Sequence, residues 1–414
     1  MEIELGYGKE KIRVQLPDNS VRKTLKPKTV ETEGAEEERI RKGLEYSIGA
    51  PPLEEIVKSG EKVVIVTSDI TRPMPTARVL PLLVEKLNRI GVPNSNILVI
   101  FAMGIHRPHK EEEKRYLLGP LYGKIESQDS DPQDCVRLGY TENGTPIDIY
   151  RRVLEGDRLI CLGNIEYHYF AGYSGGMKAI MPGVSSREAI QANHSHMVEE
   201  SARAGEMEIN PVRKDIEEVY RYCPVDYLVN VVLDENKNIL KLFAGNVFLA
   251  HREGCKFLDS LYKVELEEEA DIVITTPGGY PKDINLYQAQ KALDNAKYAV
   301  KKGGIIIFVA ACSEGWGEPI FEEWILNASS PQDLIDRIKR DFVLGGHKAA
   351  AIALVRERVE DIYLVSDFPP STVEKIFMKP FQSVEEAVAR ALEVKGEGAS
   401  IIVMPYGGST LPVL

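Results

Sequence analysis

His168, Ser174, Gly175, Gly176 and Lys178 crowd into one short segment that follows an apolar run, Asp157 to Leu162. Imidazole titrates near neutral pH, so a histidine here can take or give a proton. A glycine-rich turn exposes backbone N–H groups that favour an anion. A lysine beside it is either a phosphate contact or, once desolvated, a nucleophile. Three other segments carry the same kinds of residue: Asp69-Ile70-Thr71-Arg72-Pro73, Gly104-Ile105-His106-Arg107-Pro108-His109, and Asn193-His194-Ser195-His196. Five of the chain's seven histidines lie in these four stretches. Arg72 can grip a carboxylate or phosphate through two parallel hydrogen bonds. His194 and His196 are two apart, so they do not share a helix face and are a poor joint ligand pair.

Each element also has a bland account. Asp69 and Arg72 fit a loop ion pair, the paired glycines fit a tight turn, and a lone histidine is more often structural than catalytic. Taken together they read as a site, because they collect after successive strands, where open α/β sheets bind ligands. Gly172-Tyr-Ser174-Gly-Gly176 also matches the G-x-S-x-G elbow of serine hydrolases. That alternative gives Ser174 the nucleophile's role, but only His347 lies far enough along the chain to complete it. No phosphate-binding P-loop and no G-x-G-x-x-G follows a strand, which argues against ATP and NAD chemistry.

The elements that must position these residues alternate. Glu2–Gly6 and Lys11–Leu16 read as a hairpin. Amphipathic helices are expected at 35–46 and 76–90, with strands at 62–68 and 97–103. This is the βαβ rhythm of a parallel sheet. Glu142-Asn-Gly144 signals a hairpin insertion. Ser185-Ser-Arg-Glu188 reads as a capping box opening a helix, and Asn210-Pro211 as another helix start. The charged run 264–270 marks a boundary, after which strands at 271–275, 305–310, 361–365 and 400–404 alternate with helices. The reading is α/β, with two α/β domains and mainly parallel sheets. Residues 1–263 form the N-terminal domain and 264–394 the C-terminal one, with the chain end 395–414 returning to the first.

At 414 residues, 43% hydrophobic and 28% charged, the composition is that of a globular protein. A net charge of -12 argues against nucleic acid as a partner. No apolar run reaches the roughly 18 residues a membrane span needs, and the N-terminus lacks the pattern of a signal peptide. Five scattered cysteines without CxxC spacing suggest inert thiols in a reducing cytoplasm.

The motifs Asp69-x-Thr-Arg72-Pro, Gly-x-His106-Arg, His168-Tyr-Phe-Ala-Gly-x-Ser-Gly-Gly-x-Lys178 and Asn193-His194, in this order, resemble the nickel-pincer lactate racemase family. The resemblance implies two α/β domains with an active-site cleft between them. It implies a nickel complex of pyridinium-3,5-bisthiocarboxylic acid mononucleotide, made by separate cofactor-biosynthesis proteins and so liable to be missing from isolated protein. Lys178 would carry this cofactor covalently, and His194 would be the metal ligand. Asp69, Ile70, Thr71, Arg72 and Ser174 would contact the cofactor, and His106 and His168 would be the catalytic acid/base pair. Arg72, Tyr287, Gln288 and Lys291 would bind a 2-hydroxy acid whose α-carbon is inverted. Lactate-specific members place a tryptophan over the small substrate. The matching helix here, Gly346-His347-Lys348-Ala-Ala-Ala-Ile-Ala, has none, which points to a substrate other or larger than lactate, with His347 or Lys348 meeting its tail. A cofactor or nickel carrier without turnover is the non-enzymatic alternative.

Overall fold

A computed structural model of the chain describes residues 1–28, 34–234 and 236–414. They fall into two compact units, Val30–Asp259 and Met1–Thr29 together with Ser260–Leu414.

The first of these is built on a seven-stranded sheet. Next to its central strand, Arg158–Ile165, lies Val63–Ser68, a run rich in β-branched residues that pairs in parallel with it and, on the other side, with Ile97–Ala102. Both faces are covered, so these strands are apolar throughout rather than alternating. Glu126–Asp129 extends one edge in parallel. Beyond Arg158–Ile165 come Tyr227–Leu233 in parallel, then Ile239–Gly245 antiparallel to it, then Ser47–Ile48. Helix Thr76–Ile90 lays Val79, Leu80, Leu83, Val84 and Leu87 on the sheet and ends at Gly91, whose φ of 99° is the left-handed stop that glycine accepts. After Glu126–Asp129 the chain returns across the sheet, so the topological switch lies between Val63–Ser68 and Arg158–Ile165. In register, Thr67 stands level with both Leu162 and Phe101. The three loops that carry the candidate residues therefore leave the sheet side by side, at the crevice where doubly wound sheets bind ligands.

The other unit has a six-stranded, all-parallel sheet in which Ala270–Thr275 lies between Val300–Val309 and Ile401–Met404, and Val21–Thr24 forms one edge. Helices Leu286–Ala296 and Gly346–Arg358 belong to this unit. The chain end, expected to return to the first domain, instead completes this sheet, and residues 1–28 join it too. The strand pairing decides the matter: Ile401–Met404 bridges Ala270–Thr275 and Val21–Thr24, so both chain termini are needed to fill one layer. A second correction concerns Ser185. Its hydroxyl donates to the Ile180 carbonyl (2.9 Å), whereas Ser186 is the cap and accepts from the Ala189 N–H (3.1 Å), opening helix Arg187–Ser195. The expected hairpin around Gly144 is present, pairing Cys135–Tyr140 with Pro146–Tyr150. All five cysteines are free thiols. Among the described residues no helix is long and apolar enough to cross a membrane.

The chain's two tryptophans, Trp316 and Trp324, both lie in the second unit, so their fluorescence reports on it alone. Deleting residues 399–414 removes the strand between Ala270–Thr275 and Val21–Thr24. It is expected to shift tryptophan emission to the red in native buffer. Retained blue-shifted emission would contradict this strand assignment.

Candidate active site

The turn after Val63–Ser68 is fixed by hydrogen bonds. Buried Asp69 receives the Thr71 hydroxyl on Oδ1 (3.0 Å) and pairs through Oδ2 with His106 Nδ1 (2.9 Å) from the neighbouring loop. Burial works against its charge, but the bond to His106 and the charges of His106 and Arg72 outweigh it and hold the carboxyl below its ordinary range. A carboxylate accepts, so His106 donates through Nδ1 and, when neutral, carries its lone pair on Nε2. The same turn is tied from below. His109 Nε2 accepts the Ile70 N–H (3.0 Å), and its Nδ1 faces Asp129 (2.7 Å), which also receives the His109 backbone N–H (2.8 Å). His109, left out of the expected site, is thus the buried strut under Asp69–Arg72. Two loops meeting in space produce this role, and nothing in the local sequence announces it.

The loop after Arg158–Ile165 carries the second group. Ser174 donates its hydroxyl to the Asn164 carbonyl (2.8 Å) and accepts the Glu166 N–H (2.9 Å), which pins the loop to its own strand. His251 bonds the Ser174 carbonyl rather than its hydroxyl (2.8 Å). Ser174 therefore lacks the base that a hydrolase nucleophile requires, and its proton is already committed. Gly175 is required by its φ of 77° and by space, since a Cβ there would sit 2.5 Å from Asn230 Oδ1.

His168 accepts the Ala171 N–H on Nδ1 (3.2 Å), so its neutral form carries the proton on Nε2, the reverse of His106. Burial, then the charges of Lys178, Arg72, His194 and Arg213, push this imidazole well below the ordinary histidine value. Lys178 behaves alike. Burial, then Arg72 and Arg213, push its amine well below the ordinary lysine value, with Glu166 acting in the opposite direction. Arg72 appears in every one of these balances, acting on Asp69, His168 and Lys178. It joins the His106 group to the His168 group as one site.

His194, at the end of helix Arg187–Ser195, is oriented by Asn193. The Asn193 amide donates to the Val212 carbonyl (3.0 Å), which leaves Oδ1 to accept from His194 Nδ1 (3.0 Å). That tautomer puts the lone pair on Nε2, as a metal ligand needs. Phe170 is wedged edge-on against both His168 and His194, with ring centroids 4.5 and 4.9 Å away. His196 pairs instead with Glu199 (2.6 Å). Among the described residues no three His, Cys, Asp or Glu side chains converge on a metal position.

The remaining expected residues lie in the other unit. On helix Leu286–Ala296, Gln288 and Lys291 are exposed three residues apart, while Tyr287 turns toward Phe321 and His347 (centroids 5.7 and 6.4 Å). Buried Lys348 donates to Gln290 (3.0 Å) and lies 5.3 Å from the centre of the Tyr287 ring.

A depressed amine is neutral at a lower pH than a surface lysine. Acylation of Lys178 by acetic anhydride, followed by peptide mapping, is expected to reach half its maximal rate well below the pH at which exposed lysines do. A profile that tracks the surface lysines would contradict this charge balance.

The lactate racemase N-terminal domain model matches residues 7–205, and the lactate racemase C-terminal domain model matches residues 266–411. A lactate racemase from Thermoanaerobacterium thermosaccharolyticum is 33% identical over 99% of this chain and 98% of its own length. One from Lactiplantibacillus plantarum is 33% identical over 98% of each. The structure of the lactate racemase apoprotein from T. thermosaccharolyticum superposes with a TM-score of 0.90 at 31% identity, covering both chains fully. A Thermotoga maritima protein shares the fold, with a TM-score of 0.64 at 19% identity over 91% of this chain and 98% of that one.

Proposed function

The chain belongs to the lactate racemase family of isomerases, and on that premise we propose that it inverts the α-carbon of a 2-hydroxy acid with a nickel-pincer nucleotide bound at Lys178. The observation that carries this reading is the convergence of Arg72, His168 and Lys178 on one another's charge, with His106 tied in through Asp69. Such a cluster wants anions, and the reaction brings a substrate carboxylate and a nucleotide phosphate.

The residues present fit the cofactor. Lys178 has no ion-pair partner among the described residues and rests toward its neutral form, the state that forms an amide or thioamide bond. His194 would ligate a metal through Nε2, the nitrogen opposite its bond to Asn193, while among the described residues no cluster of His, Cys, Asp or Glu completes a metal sphere. A metal held there takes its other donors from the group that brings it, and soft sulfur donors with one imidazole suit nickel. When bound, this group supplies an acceptor for the α-hydrogen and its electron pair.

The protein's own part is orientation and proton transfer. Arg72 grips the carboxylate. His106 takes the hydroxyl proton on Nε2, and Asp69 stabilises the imidazolium that results. The flat keto acid would stay held by its carboxylate, take the α-hydrogen and its electron pair back on the opposite face, and receive a proton on oxygen from doubly protonated His168, after which His106 and His168 exchange protons with solvent. Converting Lys178 to an amide-type link would remove whatever positive charge it still turns on His168, leaving burial, the larger cause, and the neighbouring arginines to hold that ring below its ordinary value. Gln288 and Lys291, three apart on one helix face, would add the second carboxylate grip.

We read the substrate as other or larger than lactate. No tryptophan stands on helix Gly346–Arg358, and buried Lys348 beside Tyr287 and Gln290 offers a partner for a further polar group. Cytoplasmic function alongside cofactor-biosynthesis proteins follows from the same reading.

Loaded enzyme assayed by chiral chromatography on a panel of 2-hydroxy acids is expected to racemise several, with His106→Ala and His168→Ala each losing about 100-fold or more. Racemisation of lactate alone would remove the substrate reading. A loaded protein that inverts none of the panel would be a carrier and not an enzyme.

A further inference from the structure

Arg213 is a guanidinium with an unspent arm. It sits at the third position of helix Pro211–Glu218, after the cap Asn210 and Pro211, where a positive side chain opposes the helix dipole. Its side chain is 1% exposed. Nε donates to the Ala171 carbonyl (3.1 Å) and Nη2 to the Tyr173 carbonyl, both on the loop between His168 and Lys178. Nη1 is buried and has no hydrogen-bond partner. Among the described residues no carboxylate forms an ion pair with it. Of the acids on its own helix, Asp215 is bonded to Asn143 and Thr145, and Glu217 is taken by both arms of Arg252 (2.6 Å each).

A buried, uncompensated charge is expensive to keep. Two backbone carbonyls could be served by a neutral donor such as glutamine, so holding the loop does not account for an arginine. The guanidinium charge acts on both His168 and Lys178, which places it beside the amine that would carry the cofactor. Helix Pro211–Glu218 also packs directly on the turn Gly176–Ala179 that contains Lys178.

We propose that Arg213 is an internal anion-binding residue whose Nη1 hydrogen-bonds an anionic group of the ligand seated beside Lys178. The assignment rests on the cofactor reading above. A pyridinium mononucleotide offers two such groups, a ring carboxylate (or its sulfur analogue) and a 5′-phosphate. Either would neutralise Arg213 and satisfy its orphaned N–H groups in one contact. The residue then couples loop geometry to ligand charge, because the arm that binds the anion belongs to the group that ties down Ala171 and Tyr173.

The test uses the unloaded full-length protein and isothermal titration calorimetry with nicotinic acid mononucleotide, nicotinamide mononucleotide and inorganic phosphate. Arg213→Met is expected to weaken nicotinic acid mononucleotide by about tenfold or more, the worth of a charge-assisted hydrogen bond. If the carboxylate is the partner, the nicotinamide nucleotide, which lacks it, binds wild type and variant alike. If the phosphate is the partner, both nucleotides and inorganic phosphate weaken together. Arg213→Lys keeps the charge and can still serve the two carbonyls but lacks the forked arm. It is expected to remain folded by circular dichroism and still bind several-fold more weakly, which covers the case in which the methionine variant does not fold. Wild-type affinity for all three probes in a folded Met or Lys variant would overturn the assignment and leave the cofactor reading intact. A wild type that binds none of the probes would overturn both.

Discussion

The site is organised around positive charge that the protein brings together and does not neutralise. Arg72, Lys178 and Arg213 have no carboxylate ion-pair partner among the described residues, and all three act on the His168 ring. Buried Asp69 is committed to His106 and Thr71. Elsewhere in the same unit, buried or half-buried arginines are paired conventionally: Arg158 with Glu61 and Asp226, Arg252 with Glu217. Burying Arg213 without an ion-pair partner costs stability in the empty protein, while exposed Arg72 keeps its water and Lys178 is driven toward its neutral form. That cost becomes useful when an anionic nucleotide and a carboxylate substrate arrive, because the binding energy is already stored as unsatisfied charge.

The same field decides the chemistry of individual groups. It holds the Lys178 amine toward its neutral, bond-forming state. Together with burial, the larger cause, it also opposes a second proton on His168. His106 has the opposite surroundings, with an ionised carboxylate at its back. The two histidines therefore differ by environment, with neutral tautomers of opposite sense, although the reaction asks the same service of each. Backbone geometry sustains the difference: the Ala171 N–H fixes His168, and His109 under Ile70 fixes the turn that fixes His106.

Much of this was legible in the residues. Strands of β-branched residues announced the central sheet, and the functional residues follow those strands because the loops of a doubly wound sheet emerge together. What stayed hidden depended on contacts between distant segments. The final strand reads as apolar wherever it goes, and only pairing between Ala270–Thr275 and Val21–Thr24 assigns it to the second unit. Ser174 matched a nucleophile motif, but the motif says nothing of a proton given to Asn164. Arg213 left one faint trace, a basic residue in the first turn of a helix. Its buried arm and its two carbonyls on a loop 40 residues earlier were invisible.

The central claim is that the charge cluster prepares Lys178 to carry a nucleotide. Intact-mass measurement and peptide mapping of protein matured together with cofactor-biosynthesis proteins test it most directly. The account predicts a covalent adduct confined to the peptide containing Lys178 and lost in Lys178→Ala. No adduct after maturation, or one that persists on another residue in that variant, would contradict it.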